Sequence, residues 1–306
     1  MAGRSGSVGG RLAALLLGVA ALVGCVPSSV GTDGRVPGDP PLATNGLAPE
    51  GDHVWAADIV AGQIVRFELA SGRIDERYGP KEGLCHTDDL VVAPDGRVIA
   101  TCPSEGLVIA IERGGRAKRL AAVGRGVNPI VLDPSGRSVL VGFEIAGHHD
   151  LLRVPLDGGP VTTVATGLPQ INGFDLDSRG RLWVPTGGTD GLLGSGGLGW
   201  IDLVTGAFTK VPLRFADPNQ QGLRLACGVA VGPHDEIYVA QCVTPALYRV
   251  EPVTGFATLV GRPTTPIADN IAALPDGRVL MSPFTGNIVT VFDPVARSSS
   301  TVSIGN

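Results

Sequence analysis

The stretch NGFDLDSRGRLWVPT at residues 172–186 decides the fold, because its pattern occurs six times along the chain. A turn-prone polar residue opens the pattern, a short apolar run follows, and a tight turn leads into a second apolar run. The other five copies are NGLAPEGDHVWAADI (45–59), DDLVVAPDGRVIATC (88–102), NPIVLDPSGRSVLVG (128–142), CGVAVGPHDEIYVAQ (227–241) and DNIAALPDGRVLMSP (269–283). Their first residues lie 43, 40, 44, 55 and 42 residues apart.

Each repeat encodes four short strands. A third apolar run follows the first two, such as LGWIDL (198–203), and a fourth usually comes after it, such as PVTTVAT (160–166). The Pro-Asp-Gly and Pro-Ser-Gly segments between the runs are hairpin turns. Four strands in about 42 residues is the period of a propeller blade. We therefore predict an all-β fold, a six-bladed β-propeller of four-stranded antiparallel blades, at residues 42–306.

The N-terminus has the pattern of an export signal. Arg4 and Arg11 precede an apolar run at 12–23, which is too short to span a bilayer as a helix. The segment LVGC that ends at Cys25 resembles the lipobox of bacterial lipoproteins, in which the cysteine is acylated and becomes the new N-terminus. The alternative is an ordinary secretory signal with a chance cysteine.

These features predict a lipoprotein signal peptide at 1–24, followed by a lipidated Cys25 and a flexible tether at 25–41 that is rich in Pro, Gly and Ser. We expect an exported protein, lipid-anchored to the cell envelope on the extracytoplasmic side. The formal net charge is −5, and cleavage would remove two arginines and no acid. A mildly acidic chain without a basic cluster argues against nucleic acid and anionic membrane surfaces as partners. The expected partner of this monomer is a small-molecule ligand or an envelope protein, with membrane contact through the lipid alone.

Propeller geometry predicts where the first residue of each repeat lies. Neighbouring strands of a blade run antiparallel, so all six first residues should meet on one face near the axis. They are Asn45, Asp88, Asn128, Asn172, Cys227 and Asp269. Taken one at a time, Asn and Asp at such positions usually hydrogen-bond the backbone of their own turn. Together, five side-chain oxygens with two carboxylates suit Ca²⁺, whereas zinc would prefer His or Cys ligands and finds only Cys227.

The fourth repeat carries the large insertion TGGTDGLLGSGGLG at 186–199, in the loop between its second and third strands. This loop returns to the face of the six ring residues, and the sequence assigns the 55-residue spacing to it. It is either a lid over the ring or a tolerated surface insertion without a role.

The other four cysteines form two pairs, Cys85 with Cys102 and Cys227 with Cys242, each around the turn between the first two strands of a repeat. Export implies an oxidising compartment, so we predict two disulfides. The symmetry of the hairpin places Cys227 opposite Cys242, whereas Cys85 needs a bulge or the reach of a loop. The alternatives are free buried thiols or a nucleophilic Cys227 on the ring.

The repeats resemble those of the senescence-marker-protein/gluconolactonase family, which belongs to a superfamily of six-bladed propellers with paraoxonase and strictosidine synthase. The resemblance covers about residues 42–303, and NGFDLDSRGRLWVPT is its strongest local likeness. In that family a Glu of the first blade, an Asn from each of the next two and an Asp of the fourth hold an axial calcium. The Asp also serves as general base for lactone opening. The resemblance therefore implies Ca²⁺ as cofactor and a lactonase-type activity.

Residue by residue, Asn128 occupies the position of one family Asn and Asp88 that of the other. Asn172 stands at the family's Asp. Ala43, six residues before Pro49, stands where the Glu belongs, unless Asn45 replaces it through a shorter strand. The segment that begins at Asp269 (Asp-Asn-Ile) resembles an Asp-Asn-Ile of paraoxonase, one blade later. The implied metal ligands are Asn45, Asp88, Asn128, Asn172 and Asp269.

Three functions fit these patterns. The first is a calcium-dependent hydrolase of lactones or related esters, with Asp88 or Asp269 as base and His86 or His148 as auxiliary acid. His149, Asp150 and Glu105 are expected on the same face. The second is a non-catalytic surface lipoprotein that binds a small molecule or a protein. The third is a structural lipoprotein of an envelope assembly.

Overall fold

The computed structural model describes residues 40–144, 150–186, 196–242, 244–263 and 268–305. They form six sheets, each built from strands that are consecutive in the sequence. This confirms the predicted all-β, six-bladed propeller. Within the described ranges the helical structure is one 3-10 turn at Pro80–Glu82, and no helix there is long and apolar enough to cross a membrane.

The first three blades take four strands each, in the order β1 to β12. Blade 1 contains Thr44–Glu50, His53–Asp58, Gln63–Glu68 and Ile74–Tyr78. Blade 2 contains Leu90–Val92, Val98–Cys102, Leu107–Ile111 and Ala117–Ala122. Blade 3 contains Val127–Leu132, Ser138–Phe143, Leu151–Pro155 and Thr162–Ala165.

The last three blades hold β13 to β25. Blade 4 contains Asp175–Leu176, Arg181–Thr186, Gly197–Asp202 and Phe208–Val211. Blade 5 contains Arg214–Phe215, Ala226–Val231, Ile237–Gln241, Ala246–Val250 and Phe256–Gly261. Blade 6 contains Ile271–Ala273, Val279–Met281, Ile288–Asp293 and Ser298–Ser303. In blade 5 the extra strand β17 (Arg214–Phe215) pairs in parallel with the outer strand β21, which the sequence did not predict.

The apolar core is divided into six clusters, and each lies between two neighbouring blades. Trp55, for example, packs between blades 1 and 2, and Trp183 packs between blades 4 and 5. One cluster joins blade 6 to blade 1, so the ring is closed by the same apolar packing that joins the other blades. Blade 6 supplies all four of its own strands, as the sequence predicts.

Only part of the 55-residue spacing comes from the insertion at 186–199. The connection from β16 to β18, residues 212–225, is also long, and it contains β17. Residues 187–195 of the predicted lid lie outside the described residues, as do the signal peptide, Cys25 and most of the tether.

Both predicted disulfides are present, with Cα atoms 5.9 Å apart for Cys85–Cys102 and 5.8 Å for Cys227–Cys242. Cys85 reaches its partner from the loop before β5, as expected. The predicted register of the second pair was wrong, because β18 bulges between Ala226 and Gly228 and leaves Cys227 out of the ladder. The disulfide therefore starts from a bulge.

Candidate functional site

The inner strands bring five of the six predicted ring residues together on one face. Asn45 donates its amide N–H to Asp88 Oδ1 at 2.5 Å, and its side chain also hydrogen-bonds Asp269. Asn128 Nδ2 lies 3.4 Å from Asn172 Oδ1. These contacts join blade 1 to blades 2 and 6, and blade 3 to blade 4.

Glu144 is a sixth member that the sequence did not predict. It follows β10 in blade 3, and its Oε2 accepts a hydrogen bond from Asn128 Nδ2 at 2.8 Å. A signal for it existed, because the second strand of each blade runs back to the face where the ring residues begin. An acid at the end of that strand is thus aimed at the ring. We call the six residues the axial cluster: Asn45, Asp88, Asn128, Glu144, Asn172 and Asp269.

The axial cluster is strongly acidic. Burial raises the pKa of Asp88 well above its ordinary value, and repulsion from Glu144, Asp269 and Asp89 adds to that rise. Burial and the charges of Glu144 and Asp89 raise the pKa of Asp269 to about 7, against the opposing hydrogen bond from Asn45. Burial also raises the pKa of Glu144. The described groups that shift these three pKa values are carboxylates and Asn amides, and none is a cation.

Two further acids connect one blade to another through hydrogen bonds. Asp89 of blade 2 accepts hydrogen bonds from the Ile130 backbone N–H in blade 3, at 3.1 Å, and from Asn270 Nδ2 in blade 6, at 3.0 Å. Asp175 of blade 4 accepts the Val231 N–H of blade 5 at 2.8 Å. Burial raises the pKa of Asp89 to about 7 and that of Asp175 to about 6. Because their oxygens already bind protein donors, we regard them as structural.

The remaining predicted site residues lie elsewhere or outside the described ranges. The half-buried His86 ring lies beside Gly62, and no described hydrogen bond joins it to the axial cluster. Ala43 is buried and offers no carboxylate. His148 and His149 lie outside the described residues, and Asp150 begins the next described range.

Cys227 leaves the ring as a ligand because it is bonded to Cys242. The disulfide still adjoins the site, since its two sulfur atoms and an Asp269 carboxylate oxygen lie within 4.8 Å of one another. The Cys85–Cys102 disulfide also has a carboxylate within 4.8 Å of its sulfur atoms, that of the exposed Glu105.

The donor set fits a hard divalent cation. Calcium takes six to eight oxygens from carboxylates, amides and water. The cluster provides three carboxylates together with three Asn side chains, and it concentrates negative charge in a volume of low dielectric constant. Such charge requires either protons or a bound cation.

Comparisons with known proteins agree with this architecture. No family model and no curated protein match the sequence. Among solved structures, virginiamycin B lyase from Staphylococcus aureus is 17% identical, with a TM-score of 0.62 and coverage of 86% of this chain and 85% of that chain. A gluconolactonase from Xanthomonas campestris is 16% identical, with a TM-score of 0.58 and coverage of 80% and 84%.

A chain of a nidogen/laminin complex is 14% identical, with a TM-score of 0.65 and coverage of 82% of this chain and 93% of that chain. At such identities the likeness shows the fold, and the fold serves lyases, gluconolactonases and binding proteins alike. This chain is therefore a six-bladed β-propeller, with an acidic cluster at the inner ends of its blades.

Proposed function

We propose that the protein is a calcium-dependent hydrolase of lactones or related esters. The observation that carries the proposal is the convergence of three carboxylates, Asp88, Glu144 and Asp269, between the amides of three asparagines. Compared with the gluconolactonase pattern, the acids come from different blades. Glu144 supplies a carboxylate from blade 3, whereas Ala43 and Asn172 stand where that pattern has its Glu and its Asp.

In this proposal Asp88, Glu144 and Asp269 hold the ion together with the oxygens of Asn45, Asn128 and Asn172. Bound calcium would polarise the carbonyl of the ester as a Lewis acid. The chain itself orients the carboxylates, since Asn45 hydrogen-bonds both Asp88 and Asp269.

Asp88 and Asp269 are the candidates for accepting a proton from the attacking water. Burial raises the pKa of both in the protein without a bound ion, and a carboxylate that binds calcium would lose this gain in basicity. Asp269 is half-buried and therefore the more accessible of the two. A role for His86 as auxiliary acid stays a prediction without a described hydrogen bond to support it.

The N-terminal signal belongs to the same proposal. A lipid on Cys25 would hold the propeller at the envelope on the extracytoplasmic side, and residues 25–41 would act as the tether. Calcium at millimolar levels in extracellular fluids suits sites of modest affinity.

Calcium binding and turnover should be measured on the full chain in detergent, for the wild type, Asp269→Asn and Glu144→Gln. Calcium at about 100 times its Kd should raise the free energy of unfolding by about 2.7 kcal/mol. Both variants should lose this gain together with turnover of a panel of γ- and δ-lactones. Asp276→Asn is the control, because Asp276 is exposed and pairs with Arg278 in a surface turn.

The other functions predict different results. Calcium binding without turnover of any lactone or ester would favour a binding propeller. A wild type without any response to calcium would overturn the metal site and leave a structural role.

A further inference from the structure

The Cys227–Cys242 disulfide places two sulfur atoms beside an acid of the axial cluster. Both sulfurs and an Asp269 carboxylate oxygen lie within 4.8 Å of one another, and each cysteine is 5% exposed. While the disulfide is intact, its sulfurs are poor metal ligands. Reduction would change that, because a thiolate is a strong ligand for thiophilic cations.

We propose that reduction of this disulfide creates a zinc site formed by Cys227, Cys242 and Asp269. A dithiol reductant exchanges with the disulfide, is itself oxidised to a disulfide, and transfers two electrons and two protons to the cysteines. Zinc then displaces the two thiol protons, and Asp269 supplies the third ligand. Three protein ligands leave one tetrahedral position open, as in catalytic zinc sites.

The three side chains are positioned for this role by the two innermost strands of blade 5 and the innermost strand of blade 6. Cys227 lies on the bulge of β18, Cys242 directly follows β19, and Asp269 precedes β22 with its N–H bound to the Ser282 carbonyl at 2.9 Å. Ligands in a tetrahedral zinc site lie about 3.5–3.8 Å apart, as bond lengths of about 2.0–2.3 Å require. The two sulfurs, which are bonded in the disulfide, must separate to this distance after reduction, whereas the Asp269 oxygen already lies within 4.8 Å of both.

The inference does not depend on the hydrolase proposal, although the two sites share Asp269. The oxidised protein would present only oxygen ligands, whereas the reduced protein would add two sulfurs. The redox state of one disulfide would thus determine whether this place in the ring binds a hard cation or a thiophilic one.

The test is zinc-dependent protection of individual cysteines. The full chain is reduced with dithiothreitol, freed of reductant under argon, and alkylated with iodoacetamide with or without Zn²⁺. Peptide mass spectrometry then reports each cysteine separately. Zinc should slow alkylation of Cys227 and Cys242 about tenfold or more. Asp269→Asn should abolish this protection, whereas Glu105→Gln, the matched change beside Cys85–Cys102, should preserve it.

Three outcomes would overturn the proposal: cysteines that become reducible only in denaturant, no protection by zinc, or protection that survives in Asp269→Asn. A Cys227→Ser/Cys242→Ser variant gives a second measurement, since it should bind one zinc fewer than the reduced wild type. Calcium binding by the oxidised wild type is measured in parallel, so a failure of the zinc site is distinguished from a failure of the calcium site.

Discussion

Glycines in the outer turns allow neighbouring blades to touch. Gly206 and Gly255 occupy the turns just before the outer strands β16 of blade 4 and β21 of blade 5, with φ of +73° and +69°. A Cβ on Gly206 would lie 2.5 Å from the Val164 carbonyl oxygen of blade 3, and one on Gly255 would overlap the Pro212 carbonyl oxygen. These turns therefore require glycine for their conformation and for their contact.

We expect Gly255→Ala to lower the free energy of unfolding by about 2–4 kcal/mol. The new Cβ strains a residue with a left-handed backbone conformation, and it also clashes with the Pro212 carbonyl oxygen. Urea unfolding followed by circular dichroism measures the change.

Gly158→Ala is the matched control for this substitution. Gly158 lies in the equivalent turn of blade 3 with φ of +80°, and a Cβ there would meet nothing within 4 Å. Gly158→Ala should lower the free energy of unfolding only by the cost of the left-handed backbone conformation, about 1 kcal/mol. Equal losses in the two variants would show that the contact between blades contributes nothing.

A residue of the site was predictable from the sequence where its position in the repeat determined its place in the fold. Asn45, Asp88 and Asp269 open their repeats, so the common period placed them on one face. Glu144 was missed because it lies after a second strand, in a loop whose length differs between blades. Asp89 was missed because a strand's alternation does not indicate that its carboxylate will bind the backbone of the next blade.

At the level of elements, the start of the propeller is held by one buried acid. Asp58, at the end of β2, accepts hydrogen bonds from the backbone N–H groups of Leu42 (2.8 Å) and Ala43 (3.2 Å) and from the side chain of Gln63 (2.9 Å). The same segment pairs with Gly286 of blade 6. Asp58 thus connects the entry of the chain to the closing contact of the ring.

Asp58→Ala should reduce the free energy of unfolding by about 2–4 kcal/mol, because it leaves several buried donors without acceptors. It should also expose the first strand to proteolysis. Asp276→Ala, in an exposed turn of blade 6, should cost about 1 kcal/mol or less. Unfolding in urea and a thermolysin time course, which can report cleavage beside Leu42 and Leu47, give the comparison, and equal effects would refute the proposed role of Asp58.

Strands were more predictable than the segments that join them. Turns such as the one at Gly277 need a residue with a positive φ, and the glycine of a Pro-Asp-Gly segment indicates such a turn in the sequence. The parallel strand β17 gave no such signal, since it has only two residues. The bulge at Cys227 was equally hidden, because register depends on side-chain packing that the hairpin length alone does not reveal.

For the whole molecule, closure of the ring creates the acidic axis. Six apolar clusters pack neighbouring blades against each other, and this packing buries acids that different blades contribute. No blade could bury these acids alone. The free energy of apolar burial offsets the cost of placing like charges close together.

This arrangement predicts an unusual dependence of stability on pH. Burial raises the pKa of Asp89 and Asp269 to about 7 and that of Asp175 to about 6, above their ordinary value of 3.8. Between about pH 4 and 7 the folded state therefore binds more protons than the unfolded state, and stability falls as the pH rises. Acids with a lowered pKa, such as Asp133, act in the opposite direction but mainly below pH 4.

In EDTA, the melting temperature should accordingly fall between about pH 4.5 and 7.5, and Asp175→Asn should flatten the slope. Calcium should stabilise the protein more at higher pH, because the ion binds ionised carboxylates. The gap between melting curves in calcium and in EDTA should then widen as the pH rises. Scanning calorimetry at several pH values measures both trends. A melting temperature in EDTA that rises through this range would mean that the axial acids are ionised in the folded protein without a cation, against the burial argued here.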